Sequence, residues 1–182
     1  TLELAAHGIA LQLASIAFMI PLGLAQAGTV RVGVAHGRSD HQAVVRASLA
    51  VLAVAAVIAV GGGLLFAAIP TTLASIFLDK AGKDSAAVLA IAGPFVVIAG
   101  LFQLVDGLQA IAAGLLRGLK DTRIPMIMAL ISYWPIGFLC AWFFAFPAGF
   151  GGIGVWFGFL SGLSAASILL NWRFYRLVRQ RG

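Results

Sequence analysis

The sequence has few charged residues and no long polar segment. Charged residues make up 10% of the 182 residues and hydrophobic residues 62%, whereas soluble domains contain about 25% charged residues. The scarcity of charge excludes an ordinary soluble domain, and the lack of a hydrophilic block leaves no room for a separate one. We therefore expect an all-α integral membrane protein that forms one unit over residues 1–182.

Reactive side chains are equally scarce. Cys140 is the only cysteine, which excludes an intrachain disulfide and a cysteine metal cluster. The apolar runs contain no acid pair, no serine–histidine set and no group of metal ligands. His7, His36 and His41 lie near the ends of apolar runs or in a loop, so we expect them to be solvated or interfacial. We expect no enzymatic activity and no cofactor.

Five apolar runs are long enough to cross a bilayer, which requires about 20 helical residues. We predict transmembrane helices at about 4–30, 44–69, 86–116, 124–146 and 153–170. Pro21, Pro94 and Pro135 lie inside three of them. Because an internal proline frees a backbone carbonyl and bends a helix, these three prolines are candidate hinges.

The basic residues predict the orientation of the spans. Ten of the twelve Lys and Arg fall in three clusters that alternating spans would place on one side, which the positive-inside rule assigns to the cytoplasm. Lys80 and Lys83 lie on the other side, beside Asp79 and Asp84. The C-terminus is then cytoplasmic and Glu3 is outside. The net charge of +6 therefore reflects membrane topology, and we expect lipid as a partner and no nucleic acid. The three clusters are Arg31, Arg38 and Arg46; Arg117, Lys120 and Arg123; and Arg173, Arg176, Arg179 and Arg181.

The start of the chain predicts that more sequence precedes it. Thr1 is not a methionine, and the residues after it lack the basic region and cleavage site of a signal peptide. Five spans are also an unusual number for a transporter lobe. We expect a piece of a longer membrane protein, with at least one helix before Thr1.

Asp106 is the only acid well inside an apolar run, and intramembrane acids usually handle ions, protons or substrates. Gln103 and Gln109 lie three residues to either side, within about one-sixth of a turn of the same face. One carboxyl and two amides are suitable ligands for Na⁺, and the carboxyl alone can bind H⁺. No other metal site is expected. The alternative is a protonated Asp106 that forms a hydrogen bond between helices.

Other residues are weaker candidates for the wall of a cavity. Gln12 and Tyr133 are polar residues inside spans, and Phe102 and Trp134 could stack against a cationic or aromatic substrate. Each of the four is also compatible with ordinary packing inside the bundle. Trp142 and Trp156 near the predicted outer ends, and Trp172 near the inner end, are expected in interfacial belts.

Small residues predict close helix packing. Gly154, Gly158 and Gly162 recur every four residues, and Gly100, Gly107 and Gly114 recur every seven. Such spacing allows another helix backbone to approach. Packing within the chain is favoured over a dimer interface.

Several segments together resemble the multidrug and toxic compound extrusion (MATE) transporters, close to their NorM-like bacterial branch. The resemblance covers nearly the whole chain in order, and it implies helices eight to twelve of a twelve-helix transporter: most of the C-terminal lobe, without its first helix. The matching segments are Ala6-His7-Gly, Phe18-Met-Ile-Pro21-Leu-Gly23, Gln103-Leu-Val-Asp106-Gly-Leu-Gln109, Gly114-Leu-Leu-Arg117-Gly118, Ser132-Tyr133-Trp134 and Gly154-Val-Trp156-Phe-Gly158.

The resemblance implies export of organic cations and drugs by alternating access, driven by inward Na⁺ or H⁺ across the bacterial inner membrane. It also implies that Asp106 is the carboxylate of the cation site, with an acidic partner on a helix before Thr1. The N-terminal lobe and that helix would be partners of this chain. Where relatives commonly have a tyrosine, this chain has Phe102.

Two alternatives remain. A lipid-linked oligosaccharide flippase of the same superfamily would need basic residues deep in the spans, and none is present. A non-transporting membrane anchor would not need the buried Asp106.

Overall fold

The computed structural model describes residues 2–78 and 85–180, and these residues are helical with short turns and no β-strand. Hydrophobic runs form the long helices, and glycine, serine or proline marks most of their ends. The helices are α1 (Leu2–Gly37), α2 (His41–Ala68), α3 (Pro70–Ser75), α4 (Ser85–Gly118), α5 (Arg123–Ile131), a π-helical segment (Ser132–Phe138), α6 (Leu139–Ala145) and α7 (Gly151–Gln180).

Among the residues that the structure describes, five helices are long and apolar enough to cross a membrane. They are α1, α2, α4, the continuous helix formed by α5, the π-helical segment and α6, and α7. The predictions of an all-α fold and of five membrane-crossing helices are confirmed. α7 ends at Gln180, well past the predicted end at about 170. Its last turns carry arginines, which remain helical beyond the apolar run because their long side chains can reach water.

Helix α4 lies at the centre of the bundle and packs against α1, α2, α3 and α7. Its contact with α1 is backbone to backbone at Gly114, where a Cβ atom would lie 2.6 Å from the carbonyl oxygen of Ala25. The Thr29 hydroxyl of α1 donates to the carbonyl oxygens of Ala25 and Gly114, both at 2.8 Å. The seven-residue glycine pattern on α4 therefore packs within the chain.

Helix α7 packs equally closely against the π-helical segment and α6. A Cβ atom on Gly158 would collide with Ala141, and one on Gly162 would lie 3.0 Å from the Cα of Gly137. The predicted ridge of small residues on α7 thus packs inside the chain.

The three internal prolines have different surroundings. Pro21 and Pro94 lie inside unbroken α-helices, and Pro135 lies inside the π-helical segment. Proline provides no N–H for the helical ladder, so a local change to π-helical hydrogen bonding at Pro135 has a clear cause. Their roles as hinges stay predictions.

One end of the bundle brings together the turns after α1 and α4 and the end of α7. The Nε of Arg173 in α7 lies 2.8 Å from the Asp121 carboxylate in the turn after α4. His36, Leu119 and Val178 line one small cavity at this end. The three basic clusters therefore lie at the same end within the described chain, although the side of the membrane stays a prediction. Asp79, Lys80, Lys83, Asp84 and Arg181, which belong to the predicted charge pattern, are outside the described residues.

Candidate functional site

A cavity of about 720 Å³ lies between α4, the π-helical segment with α6, and α7, with Leu11 of α1 at its edge. Asp106 is the only charged residue among the residues that line it. The remaining wall is dominated by aromatic, aliphatic and glycine residues. They are Leu11, Phe102, Tyr133, Trp134, Gly137, Phe138, Ala141, Trp142, Ala145, Phe146, Val155, Trp156, Gly158, Phe159, Gly162 and Leu163.

Asp106 is half-buried on the central helix α4. Within the described chain its carboxyl group forms no hydrogen bond or ion pair, so the helix–helix hydrogen bond considered above is not found there. The carboxyl interacts electrostatically with Tyr133, which also lines the cavity. A carboxyl that faces a cavity with little competition from neighbouring groups can accept a cation or a proton from that cavity.

The predicted polar stripe on α4 is divided between two environments. Gln103 is buried, and its side-chain amide donates to the backbone carbonyl of Ala14 on α1. Gln109 interacts with the Tyr133 side chain and is not among the residues that line the large cavity. The part of Gln103 in a cation site stays a prediction, but Gln103 does not share the large cavity with Asp106. The reason is that α1 packs against the flank of α4 that carries Gln103 and takes up its amide.

Gln109 belongs to a second, smaller cavity rather than to the large one. It lines a space of about 230 Å³ that also touches Arg117, Asp121 and Thr122 near the basic end of the bundle. Tyr133, in the wall of the large cavity, interacts with both Asp106 and Gln109. A polar side chain from the wall of each cavity therefore interacts with the other.

Of the four weaker candidates for the cavity wall, three line the large cavity and one does not. Phe102, Tyr133 and Trp134 line the large cavity, as expected for a substrate wall. Gln12 does not, and its side chain is exposed on α1. One residue along a helix is a rotation of about 100°, so Leu11 rather than Gln12 meets the cavity.

Trp156 is a residue of this site that was placed wrongly from the sequence. It is fully buried, not interfacial, and its indole Nε1 donates to Nδ1 of His7 at 2.9 Å. His7 is correspondingly half-buried. The ring of Phe102 lies 5.8 Å from that of Trp156 in an edge-on arrangement. The seven-residue spacing of Trp156, Leu163 and Leu170, all buried, was the available signal for a core face.

The bond between Trp156 and His7 allows a stability test. We expect Trp156→Phe to lower the free energy of unfolding by about 1–2 kcal/mol, because the half-buried His7 nitrogen loses its donor. Trp142→Phe is the matched control, since Trp142 is exposed and should change stability by less than about 0.5 kcal/mol. Denaturant unfolding in detergent measures both, and equal losses would contradict the assignment.

Comparison with known proteins identifies the family. The family model described as MatE matches residues 1–143. The "Probable multidrug resistance protein NorM" of Rhizobium meliloti (strain 1021) is 67% identical over 180 residues, which are 99% of this chain and 38% of that protein. The protein of the same name from Agrobacterium fabrum is 64% identical over 180 residues, 99% of this chain and 39% of the relative.

Solved structures show the same fold. The crystal structure of the eukaryotic MATE transporter AtDTX14 has a TM-score of 0.84 at 20% sequence identity, and it matches 99% of this chain and 40% of that one. The inward-facing conformation of a multidrug resistance MATE family transporter of the MOP superfamily has a TM-score of 0.83 at 16% identity, matching 94% and 39%.

The chain thus spans less than two-fifths of the length of these two NorM relatives. Within that length, the match covers the long α1, the central α4 that carries Asp106, and most of the helix that contains Tyr133. The chain belongs to the MATE family of transporters.

Proposed function

We propose that this chain is the C-terminal lobe, without its first helix, of a multidrug efflux antiporter. The complete transporter would export organic cations and drugs across the bacterial inner membrane in exchange for Na⁺ or H⁺. The observation that carries the proposal is the position of Asp106 on the wall of an otherwise apolar and aromatic cavity. The relatives named as multidrug resistance proteins support the substrate class.

The chemistry of the cavity suits a lipophilic cation. Aromatic faces attract cations by roughly 0.5–2 kcal/mol each, and Phe102, Tyr133 and Trp134 supply three such rings. Asp106 adds a full negative charge in a setting of low dielectric constant, where its attraction for a cation is stronger than in water. The cavity wall therefore favours a substrate that is both flat and positively charged.

Competition for Asp106 provides a physical basis for coupling. When Na⁺ or H⁺ occupies the carboxyl, its negative charge is neutralised and the attraction for a cationic drug is lost. A ligand shifts a conformational equilibrium only through its different affinity for the two states. Binding of the coupling ion and release of the drug are then linked through one side chain. Tyr133 assists the site through its interaction with Asp106, and Gln109 through its interaction with Tyr133.

The cavity wall argues against the flippase alternative. A substrate with phosphate groups needs basic partners, and no Arg or Lys is among the residues lining the large cavity in the described chain. The proposed activity is transport without a chemical reaction, so no catalytic residue is required.

The proposal is tested with the full-length transporter in inverted membrane vesicles. Ethidium should accumulate inside when the lumen holds more Na⁺, or more H⁺, than the medium, and the two gradients are imposed separately. Collapse of the effective gradient should stop uptake. Uptake that persists with both gradients collapsed, or that responds to neither, would contradict the proposed ion coupling.

A further inference from the structure

A second groove, which shares no lining residue with the large cavity, lies where α1 and α2 join. It has a volume of about 600 Å³ and is lined by Arg31 and Val34 of α1, Arg38 of the turn, and Arg46, Ala50 and Val51 of α2, among others. Nothing in the transport cycle described above uses it. From its shape and charge we infer that this groove binds an anionic phospholipid, with the phosphate held by the three arginines and one acyl chain along the apolar part.

The charges of the groove are unbalanced. Arg31, Arg38 and Arg46 line it together with a single acid, Asp40. The Asp40 carboxylate caps α2 by accepting a hydrogen bond from the Ala43 N–H at 2.9 Å. None of the three arginines forms an ion pair with a carboxylate in residues 2–78 and 85–180, where the recorded pair is Arg173 with Asp121. Three guanidinium groups are therefore available to an anion.

The arginines stand at two depths. Arg38 follows the last residue of α1, whereas Arg31 and Arg46 lie five to six residues inside their helices, or about 8–9 Å along the helix axes. A guanidinium group on α1 or α2 that lies next to lipid hydrocarbon is energetically unfavourable unless its side chain reaches an anionic headgroup. A phosphodiester group between these two levels would pair with Arg38 as well as with Arg31 and Arg46.

The apolar part of the groove favours a lipid over a soluble anion. Val30 and Val34 of α1 are exposed, and Ala50 faces the same groove from α2. Both helices are candidate membrane spans. Val34 lies between the levels of Arg38 and Arg31, and Val30 and Ala50 lie one and four residues further into their helices than Arg31 and Arg46. Basic pockets between transmembrane helices are known to hold phospholipid headgroups.

The test measures binding of phosphatidylglycerol to the delipidated full-length transporter by native mass spectrometry. Arg31→Gln, Arg38→Gln and Arg46→Gln together should raise the Kd about 100-fold, which is about fivefold for each basic residue. The matched control removes three charges at the same end but outside the groove: Arg123→Gln, Arg176→Gln and Arg179→Gln. It should leave the Kd within about threefold of the unmodified protein.

A second variant tests the apolar part independently of charge. Ala50 is exposed, so Ala50→Trp should fill the groove without disturbing the core and weaken binding of phosphatidylglycerol. Glycerol phosphate, which has the headgroup without acyl chains, should not compete. Three outcomes would each overturn the proposal. The first is an equal loss of binding in both triple variants, and the second is equal binding of zwitterionic phosphatidylcholine. The third is competition by glycerol phosphate together with unchanged binding of phosphatidylglycerol to Ala50→Trp. These experiments do not measure ethidium transport, so their outcome does not depend on whether the proposed efflux is correct.

Discussion

Asp106→Asn should reduce ion-coupled efflux of ethidium by the full-length transporter by roughly 10- to 150-fold without lowering its amount in the membrane. The amide has nearly the same shape as the carboxylate but cannot carry a negative charge or bind a proton in the neutral range. Interactions with charged groups contribute about 1.5–3 kcal/mol each, which corresponds to that range in affinity. Because the Asp106 carboxyl forms no hydrogen bond in the described chain, the substitution should not damage the fold.

Two variants make this result specific. Asp106→Glu retains the charge on a longer side chain and should keep part of the transport. Glu3→Gln makes the same carboxylate-to-amide change at an exposed position near the start of α1 and should have no effect. Efflux by Asp106→Asn at the level of the unmodified transporter would remove the basis of the proposed coupling.

Gly158→Ala should lower the free energy of unfolding by about 3 kcal/mol or more, although it adds a single methyl group. The added Cβ would collide with the Cβ, Cα and backbone nitrogen of Ala141 on α6. Backbone atoms cannot move aside as a flexible side chain can, so α6 and α7 must separate, and overpacking of this kind costs about 1–3 kcal/mol, occasionally more. Thermal unfolding in detergent measures the loss.

The matched control is Gly61→Ala on α2. No atom lies within 4 Å of a Cβ built at Gly61 in the described structure, and alanine is favoured over glycine inside a helix by about 1 kcal/mol. This variant should be as stable as the unmodified protein or more stable. Equal destabilisation by the two substitutions would show that the contact between α6 and α7 is not the reason why alanine is unfavourable at position 158.

The architecture follows from the sequence because membrane helices depend on the length of apolar runs. The runs from 44 and from 86 lead to α2 and α4 with small shifts at their ends. The end of α7 and the π-helical segment around Pro135 were not predictable in this way. Both depend on how the backbone satisfies its hydrogen bonds next to charged or proline residues, which a hydropathy pattern does not describe.

Asp106 could be singled out from the sequence because a carboxyl inside an apolar run has a large energetic cost. The roles of Gln103 and Gln109 could not be separated, since helical spacing places both beside Asp106. The packing of α1 distinguishes them. The Ala14 carbonyl of α1 accepts a hydrogen bond from the Gln103 amide, whereas Gln109 interacts with Tyr133. Trp156 was placed wrongly for a related reason, because its burial depends on the partners that α1 and α4 bring to it.

The burial of Trp156 gives the protein an optical label of its own. The four tryptophans of the chain are Trp134, Trp142, Trp156 and Trp172, and their exposed fractions are 68%, 54%, 1% and 50% respectively. Quenchers that reach exposed side chains from the lipid phase or from the cavity can touch the three exposed indoles but not the fourth. The fluorescence that survives such quenching comes from an indole that lines the cavity and touches Phe102, one helical turn from Asp106.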